Sequence, residues 1–255
     1  MRLTLTGLSG LLLLALCGNA SAQTSVGAGI GFSQGQSPYR GVSGNPNTIP
    51  AFISYEGEKG YFRGIEAGYY LWQTGDRRSN LTLSALVSGR LEGYRSSDSL
   101  YLQGMATRGW SLDGGLGLVW REGMHQYSLK AVTDLLGKHE GQEVSAGYAY
   151  RIPISRELSL TPNAGISWMS ADLLDYYYGV RDSEVHTGLT PERTAYQVDA
   201  GIQYTVGVTL AYQLNTTTSL LLSTRTRWLP DSVSDSPLVA RDQISGVFGA
   251  IIFRL

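Results

Sequence analysis

The sequence predicts an all-β chain, a transmembrane antiparallel up-and-down β-barrel of about 10–12 strands, on three observations. Apolar and polar residues alternate with period two from Val26 onward, a separation that a pleated strand preserves and a helix scrambles. Several of these segments are about 9–13 residues long, the length a tilted strand needs to cross a bilayer. Aromatic residues gather near the ends of the apolar faces at Trp72, Trp110, Trp120, Trp168, Tyr212 and Trp228, as interfacial girdles do.

Composition excludes the competing classes. With 16 Tyr, 5 Trp and 5 Phe in 255 residues the chain is too aromatic to be disordered. Its net charge of -1 offers no basic stripe for nucleic acid. Charged residues make up 16%, against roughly 25% in a soluble domain. A sheet whose outer face meets lipid fits that mixture. No apolar run of about 20 residues marks a spanning helix.

Residues 1–22 read as a secretory signal peptide. Arg2 supplies the positive start, Leu8 to Leu16 the short apolar core, and Ala20-Ser21-Ala22 the small-residue cleavage signature. Cys17, the only cysteine, leaves with it; Leu16 just before it argues against a lipoprotein site. The mature chain, 23–255, then carries Lys+Arg 19 against Asp+Glu 21 and can form no disulfide.

The clearest strand is 81–92. Leu81, Leu83, Ala85, Val87, Gly89 and Leu91 share one face and Thr82, Ser84, Ser88, Arg90 and Glu92 the other, interrupted only by Leu86. Trp110 to Trp120, Val144 to Ile152, Leu158 to Trp168 and Val206 to Leu214 repeat the pattern. Weaker candidates lie at 26–34, 49–56, 61–73, 125–136, 218–228 and 244–255. No stretch reads as an amphipathic helix, and no linker divides the chain.

Alternation alone also permits a soluble sandwich, but strand length, girdles and the export signal favour the barrel. Closure matters there, because it removes unpaired edge amides that lipid cannot satisfy. Barrels of this kind use even strand numbers, whereas the candidates number eleven, so one strand before residue 80 is missed or spurious. If the last strand runs toward the periplasm, 94–109, 169–197 and 229–243 fall outside the cell. The short segments 121–124, 153–156 and 215–217 become periplasmic turns.

Arg90, Glu92, Asp113, Lys130, Asp134, Glu143, Arg151, Arg225 and Arg227 are the lumen-facing candidates. A pore would use them as a lining; a narrow barrel would fill itself with their ion pairs, and that reading is favoured. Arginines outnumber lysines 17 to 3, which suits bidentate pairing. The three histidines, His125, His139 and His186, form no compact pattern with Ser and an acid, and Asp172 with Asp175 makes no metal site. No catalytic, cofactor or metal residue is therefore assigned. Gly27-Ala28-Gly29-Ile30-Gly31-Phe32 lacks the dinucleotide-loop spacing and opens a strand. The triplets Asn80-Leu81-Thr82 and Asn215-Thr216-Thr217 carry little weight as glycosylation sites in a bacterial barrel.

Asp175-Tyr176-Tyr177-Tyr178-Gly179-Val180 reads as an aromatic anchor or a loop packed on the rim. With Tyr196 to Gly201, Val206-Gly207-Val208, Tyr212-Gln213-Leu214, Leu229 to Ser232 and Asp235 to Val239, it resembles the MipA/OmpV family of outer-membrane proteins. Ser37 to Gly41, Pro50, Asp134 to Gly141 and Glu143-Val144 are further landmarks, so the resemblance spans the mature chain. The ending Phe253-Arg254-Leu255 departs from the usual aromatic terminus. The resemblance implies a non-enzymatic Gram-negative outer-membrane barrel. One branch is a scaffold joining a lytic murein transglycosylase to a peptidoglycan synthase; others are tied to osmotic or antibiotic response, or adhesion. A scaffold contacting lipid and those cell-wall enzymes is the leading expectation, and a narrow channel or stress-response barrel is the alternative.

Overall fold

A computed structural model of the chain describes residues 24–44, 47–76 and 78–255, with the backbone alone at 47–51. The signal-peptide reading of 1–22 lies outside these residues. Twelve antiparallel strands form a closed barrel. In chain order they are β1 (Ser25–Gly35), β2 (Asn47–Glu56), β3 (Gly60–Arg63), β4 (Glu66–Gly75), β5 (Ser79–Arg90) and β6 (Ser111–Glu122). They continue with β7 (His125–Asp134), β8 (Gln142–Tyr150, extended by Ile152–Pro153), β9 (Leu158–Met169), β10 (Gly201–Gln213), β11 (Thr218–Trp228) and β12 (Gln243–Arg254). Each strand pairs with its sequence neighbours, and β1 closes on β12 from Gly27↔Arg254 to Gly35↔Gly246.

The twelfth strand is the one the alternation hid. The candidate at 61–73 is two strands, β3 and β4, turning at Gly64-Ile65, where Gly64 takes φ +67. β3 has four residues, too few to show a period. In β4 the register then slips between Tyr70 and Trp72, and Leu71 and Trp72 both face outward. Such a bulge breaks alternation where the strand itself is sound.

The wall is inverted relative to a soluble protein. Val87, Leu116, Leu129, Val144, Ile166, Val206 and Leu222 stand exposed on the outer face. All five tryptophans are exposed near strand ends, as expected of the girdles. At the short-turn end Trp120, Tyr127 and Tyr148 pack in sequence, with ring centroids 5.0 and 5.2 Å apart. Leu86 falls on the inner face because Gly117 of β6 leaves room there: a Cβ at Gly117 would lie 2.9 Å from Leu86.

The two ends differ. Turns 57–59, 76–78, 123–124, 154–157 and 214–217 join strands at one end; segments 36–46, 91–110, 135–141, 170–200 and 229–242 join them at the other. Outer-membrane barrels put short turns in the periplasm and long loops outside. The long loops hold helices that the sequence reading did not find: α1 (Ala171–Tyr178) and the single turn α2 (Asp231–Ser234). α1 is two turns long, so its periodicity is too brief to read. Ser170 caps it by accepting from Leu173 N–H at 3.5 Å.

Candidate functional site

α1 buries Leu173, Leu174, Tyr177 and Tyr178 on one face, and these residues begin a lid over the external mouth. Against them pack Leu102 and Met105 from loop 91–110, Val198, and Val233, Leu238 and Val239 from loop 229–242. Tyr39 stacks on Tyr178 at 5.5 Å and meets Tyr94 edge-on at 4.7 Å. Burial drives the hydroxyls of Tyr39, Tyr94, Tyr177 and Tyr178 well above the usual tyrosine range, so these four rings stay neutral. The three adjacent tyrosines are thus packing groups, as the rim reading expected.

Arginines tie the loops together. Arg193 is fully buried and donates to Glu184 O at 2.7 Å, to Gln103 O at 2.9 Å and to Tyr101 O. Arg108 donates to Tyr176 O at 2.7 Å and pairs with Glu184 at 2.9 Å. Glu184 also accepts from Ala106 N–H at 2.8 Å and Arg181 N–H at 3.1 Å. Burial alone would raise the Glu184 carboxyl, but the two amides and Arg108 outweigh it and hold it below the usual carboxylate range. Arg40 joins loop 36–46 to Val239 O at 2.6 Å, and Ser236 joins loop 229–242 to Tyr178 O at 2.6 Å.

Beneath the lid lies a layer of ion pairs. Arg90 reaches Asp113 at 2.6 Å and Glu143 at 2.7 Å; Arg227 reaches Glu92 at 2.9 Å. These five residues come from β5, β6, β8, β11 and the residue pair after β5, so the layer braces the wall across the lumen. Lower pairs join Lys130 to Glu66 at 3.4 Å and Arg63 to Glu56 at 2.8 Å, with the Arg63 guanidinium 4.0 Å from the Tyr61 ring.

The other candidates fall elsewhere. Arg151 is exposed at the break in β8, where its backbone N–H donates to Met124 O at 2.9 Å, at the short-turn end and outside the network. Asp134 caps the β7–β8 loop, accepting from Ser111 Oγ at 2.7 Å, from the N–H of Leu136, His139 and Glu140, and from that of Lys138. Arg225 lines the lumen but makes no ion pair or hydrogen bond among the described residues, which departs from the satisfied network expected of it.

Asp113, Asp134 and His139 bring potential metal ligands within 4.8 Å of one another. Their hydrogen bonds argue for a structural role. Gly141 N–H donates to His139 Nδ1 at 3.0 Å, which leaves Nε2–H to donate to Asp113 at 3.0 Å. Both ring nitrogens are engaged, and Asp134 is saturated by its loop. His125 stands in the outer aromatic girdle, 2.9 Å from Tyr148 Oη, and His186 Nδ1 accepts from Gly188 N–H in an outer loop. Asp172 sits in the first turn of α1, and Asp175 accepts from Val198 N–H. These histidines stand apart, in three different regions.

Arg193, Arg108–Glu184 and Arg40 escaped the sequence reading because most of their acceptors are backbone carbonyls, which leave no trace in residue identity. Arg225-Thr226-Arg227 did carry a signal: two like charges on one strand face, where a single acid is insufficient for both.

Sequence relatives show the family. The family model described as MltA-interacting protein MipA matches residues 27–254. The MltA-interacting protein of Escherichia coli K12 is 27% identical over 240 residues, covering 92% of each chain. Outer membrane protein OmpV of Vibrio cholerae is 27% identical over 159 residues, covering 62% of this chain and 60% of its own. Among solved structures, an outer membrane channel from Pseudomonas putida F1 is 11% identical with a TM-score of 0.44, covering 93% of this chain and 97% of that one. Barrel, girdles and family match agree: this chain is an outer-membrane β-barrel and belongs to the MltA-interacting protein MipA family.

Proposed function

We propose that this barrel is a non-conducting, non-enzymatic anchor in the outer membrane that holds a lytic murein transglycosylase, and through it a peptidoglycan synthase, at its periplasmic rim. The observation that carries the reading is the closed mouth. Leu102, Leu173, Leu174, Tyr177, Val198, Val233 and Leu238 are each no more than 1% exposed, and the Arg90 layer crosses the lumen directly below them. A barrel so filled offers hydrated ions no path, so its work falls to its surfaces. The name of the Escherichia coli relative points to a transglycosylase partner. A stable complex buries about 800 Å² on each side, more than one short turn presents, so the partner must span several of the five turns.

The test pairs two measurements on the detergent-purified barrel. Planar bilayers should show no unitary conductance, and a lytic murein transglycosylase should be captured by the immobilised barrel. Alanine substitutions in turns 154–157 and 214–217 should weaken that capture without altering heat-modifiable migration. Steady conductance, or no capture of any lytic transglycosylase, overturns the reading.

A further inference from the structure

Below the ion-pair layer the lumen holds a chamber of ≈ 150 Å³. Its lining runs from Asp113 and Glu143 under the lid to Gln126, which is paired with Arg121 one step from the periplasmic turn 123–124. Gln203, Thr205, Asn163, Ser223, Ser128 and Ser145 line it, beside apolar groups such as Val132 and Met169. One charge in it is unbalanced.

Arg225 projects inward from β11. Its register partners are Gly207 on β10 and Gly246 on β12, so no side chain of either neighbouring strand flanks it at its own level. Arg227, on the same face two residues along, is taken by Glu92, and Arg90 is shared between Asp113 and Glu143. Residues outside the description, 1–23, 45–46 and 77, include no Asp or Glu, so all 21 side-chain carboxylates are placed. None of them pairs with Arg225. A guanidinium cannot shed its proton to escape this position. Arg225 is half-buried, and a guanidinium partly withdrawn from water beside the like charge of Arg227 favours a counter-charge that joins it.

We propose that the chamber binds a small oxyanion of the carboxylate or sulfate class, held by Arg225. The planar guanidinium presents paired N–H donors that match two oxygens of such an anion. Asn163, beside Gly207 in the register, together with Gln203 and Thr205, supplies neutral donors around it. Ser223 and Thr209 hydrogen-bond each other at 3.0 Å and close the wall below. The site is independent of the anchoring role: it needs no protein partner.

Isothermal titration of the full barrel in an uncharged maltoside detergent tests this, with sodium acetate and sodium sulfate added at constant ionic strength against chloride. The wild-type barrel should show saturable one-site binding of at least one of the two anions. Arg225→Gln should weaken it by about tenfold or more, Arg225→Lys should retain part of it, and Lys138→Gln in an outer loop should leave it unchanged. Without added anion, Arg225→Gln should melt no lower than wild type, because it removes a charge and breaks no pair. Absence of saturable binding to the wild-type barrel overturns the proposal, as does unchanged binding by Arg225→Gln. Nanodiscs separate a solute from a lipid headgroup. Equal affinity in phosphatidylcholine and phosphatidylglycerol supports a solute, whereas loss of binding in phosphatidylglycerol overturns that source.

Discussion

The external and periplasmic ends of this barrel solve opposite problems. At the external end four of the five long segments converge on a dry core, and the same chain that turns leucine outward in the wall turns Leu102, Leu173 and Leu238 inward in the lid. At the periplasmic end short turns join the strands, and an apolar cluster fills one side of the lumen, where Leu221, Phe248 and Ala250 meet Phe52, Ala211 and Ile252. Water above the lid and hydrocarbon around the wall account for the inversion. The lesson is that the lid should behave as a small soluble domain mounted on a membrane scaffold, with stability of its own that can be lost separately.

The largest effect should come from breaking the lid. Glu184 and Arg108 are 4% and 3% exposed at their side chains, and removing one member of a buried pair costs about 3–5 kcal/mol. Glu184→Ala should therefore strand Arg108 and release the Ala106 and Arg181 amides. Trypsin should then cut within 91–110 and 170–200 while heat-modifiable migration of the barrel stays unchanged. Simultaneous loss of both would show that lid and wall are one cooperative unit.

The two ends were not equally legible in the sequence. Wall strands such as β5, β9 and β10 announce themselves because one face must suit lipid over a full crossing, which enforces strict alternation. The same rule placed Arg90, Asp113 and Glu143 on inward faces, and the even-number constraint located an error in the strand count before residue 80 without saying whether a strand was missed or spurious. The lid obeys no such period. α1 is eight residues long, Arg193 bonds only to carbonyls, and Tyr39 meets Tyr178 across 139 residues of chain. Pairing of a lumen charge depends on which strands face across the axis, which explains why Arg225 could be placed on the inner face but not recognised as unpaired.

A smaller effect should follow from crowding the wall. Gly29 faces inward on β1, and a Cβ there would lie 2.4 Å from the Phe52 ring and 2.6 Å from the Ile251 carbonyl oxygen. The ring can swing away; the carbonyl belongs to the ladder that closes β1 on β12. Gly29→Ala should lower barrel stability by about 1–3 kcal/mol, read as a lower temperature of the heat-modifiability transition, with trypsin resistance of the lid retained below it. Selective opening of the lid instead would mean that the closing seam supports the loops above it.

The gentlest test titrates the lid. Glu184 is held below the usual carboxylate range in the folded state, so its contribution is complete above the unfolded value of about 4.3. It is lost progressively as pH falls through the lower folded value. Protonated Glu184 keeps its shape and one acceptor oxygen, so the loss should be smaller than in Glu184→Ala. Pepsin, which works in that range, should cut the wild-type lid faster at pH 3 than at pH 5. Because Glu184→Gln removes the titration and keeps the side-chain shape, its cleavage should vary less between the two values, after correction for pepsin's own pH dependence on an unfolded substrate. An equal dependence in both proteins would assign the acid sensitivity to another carboxylate and leave the Arg108 pair as an electrostatically silent contact.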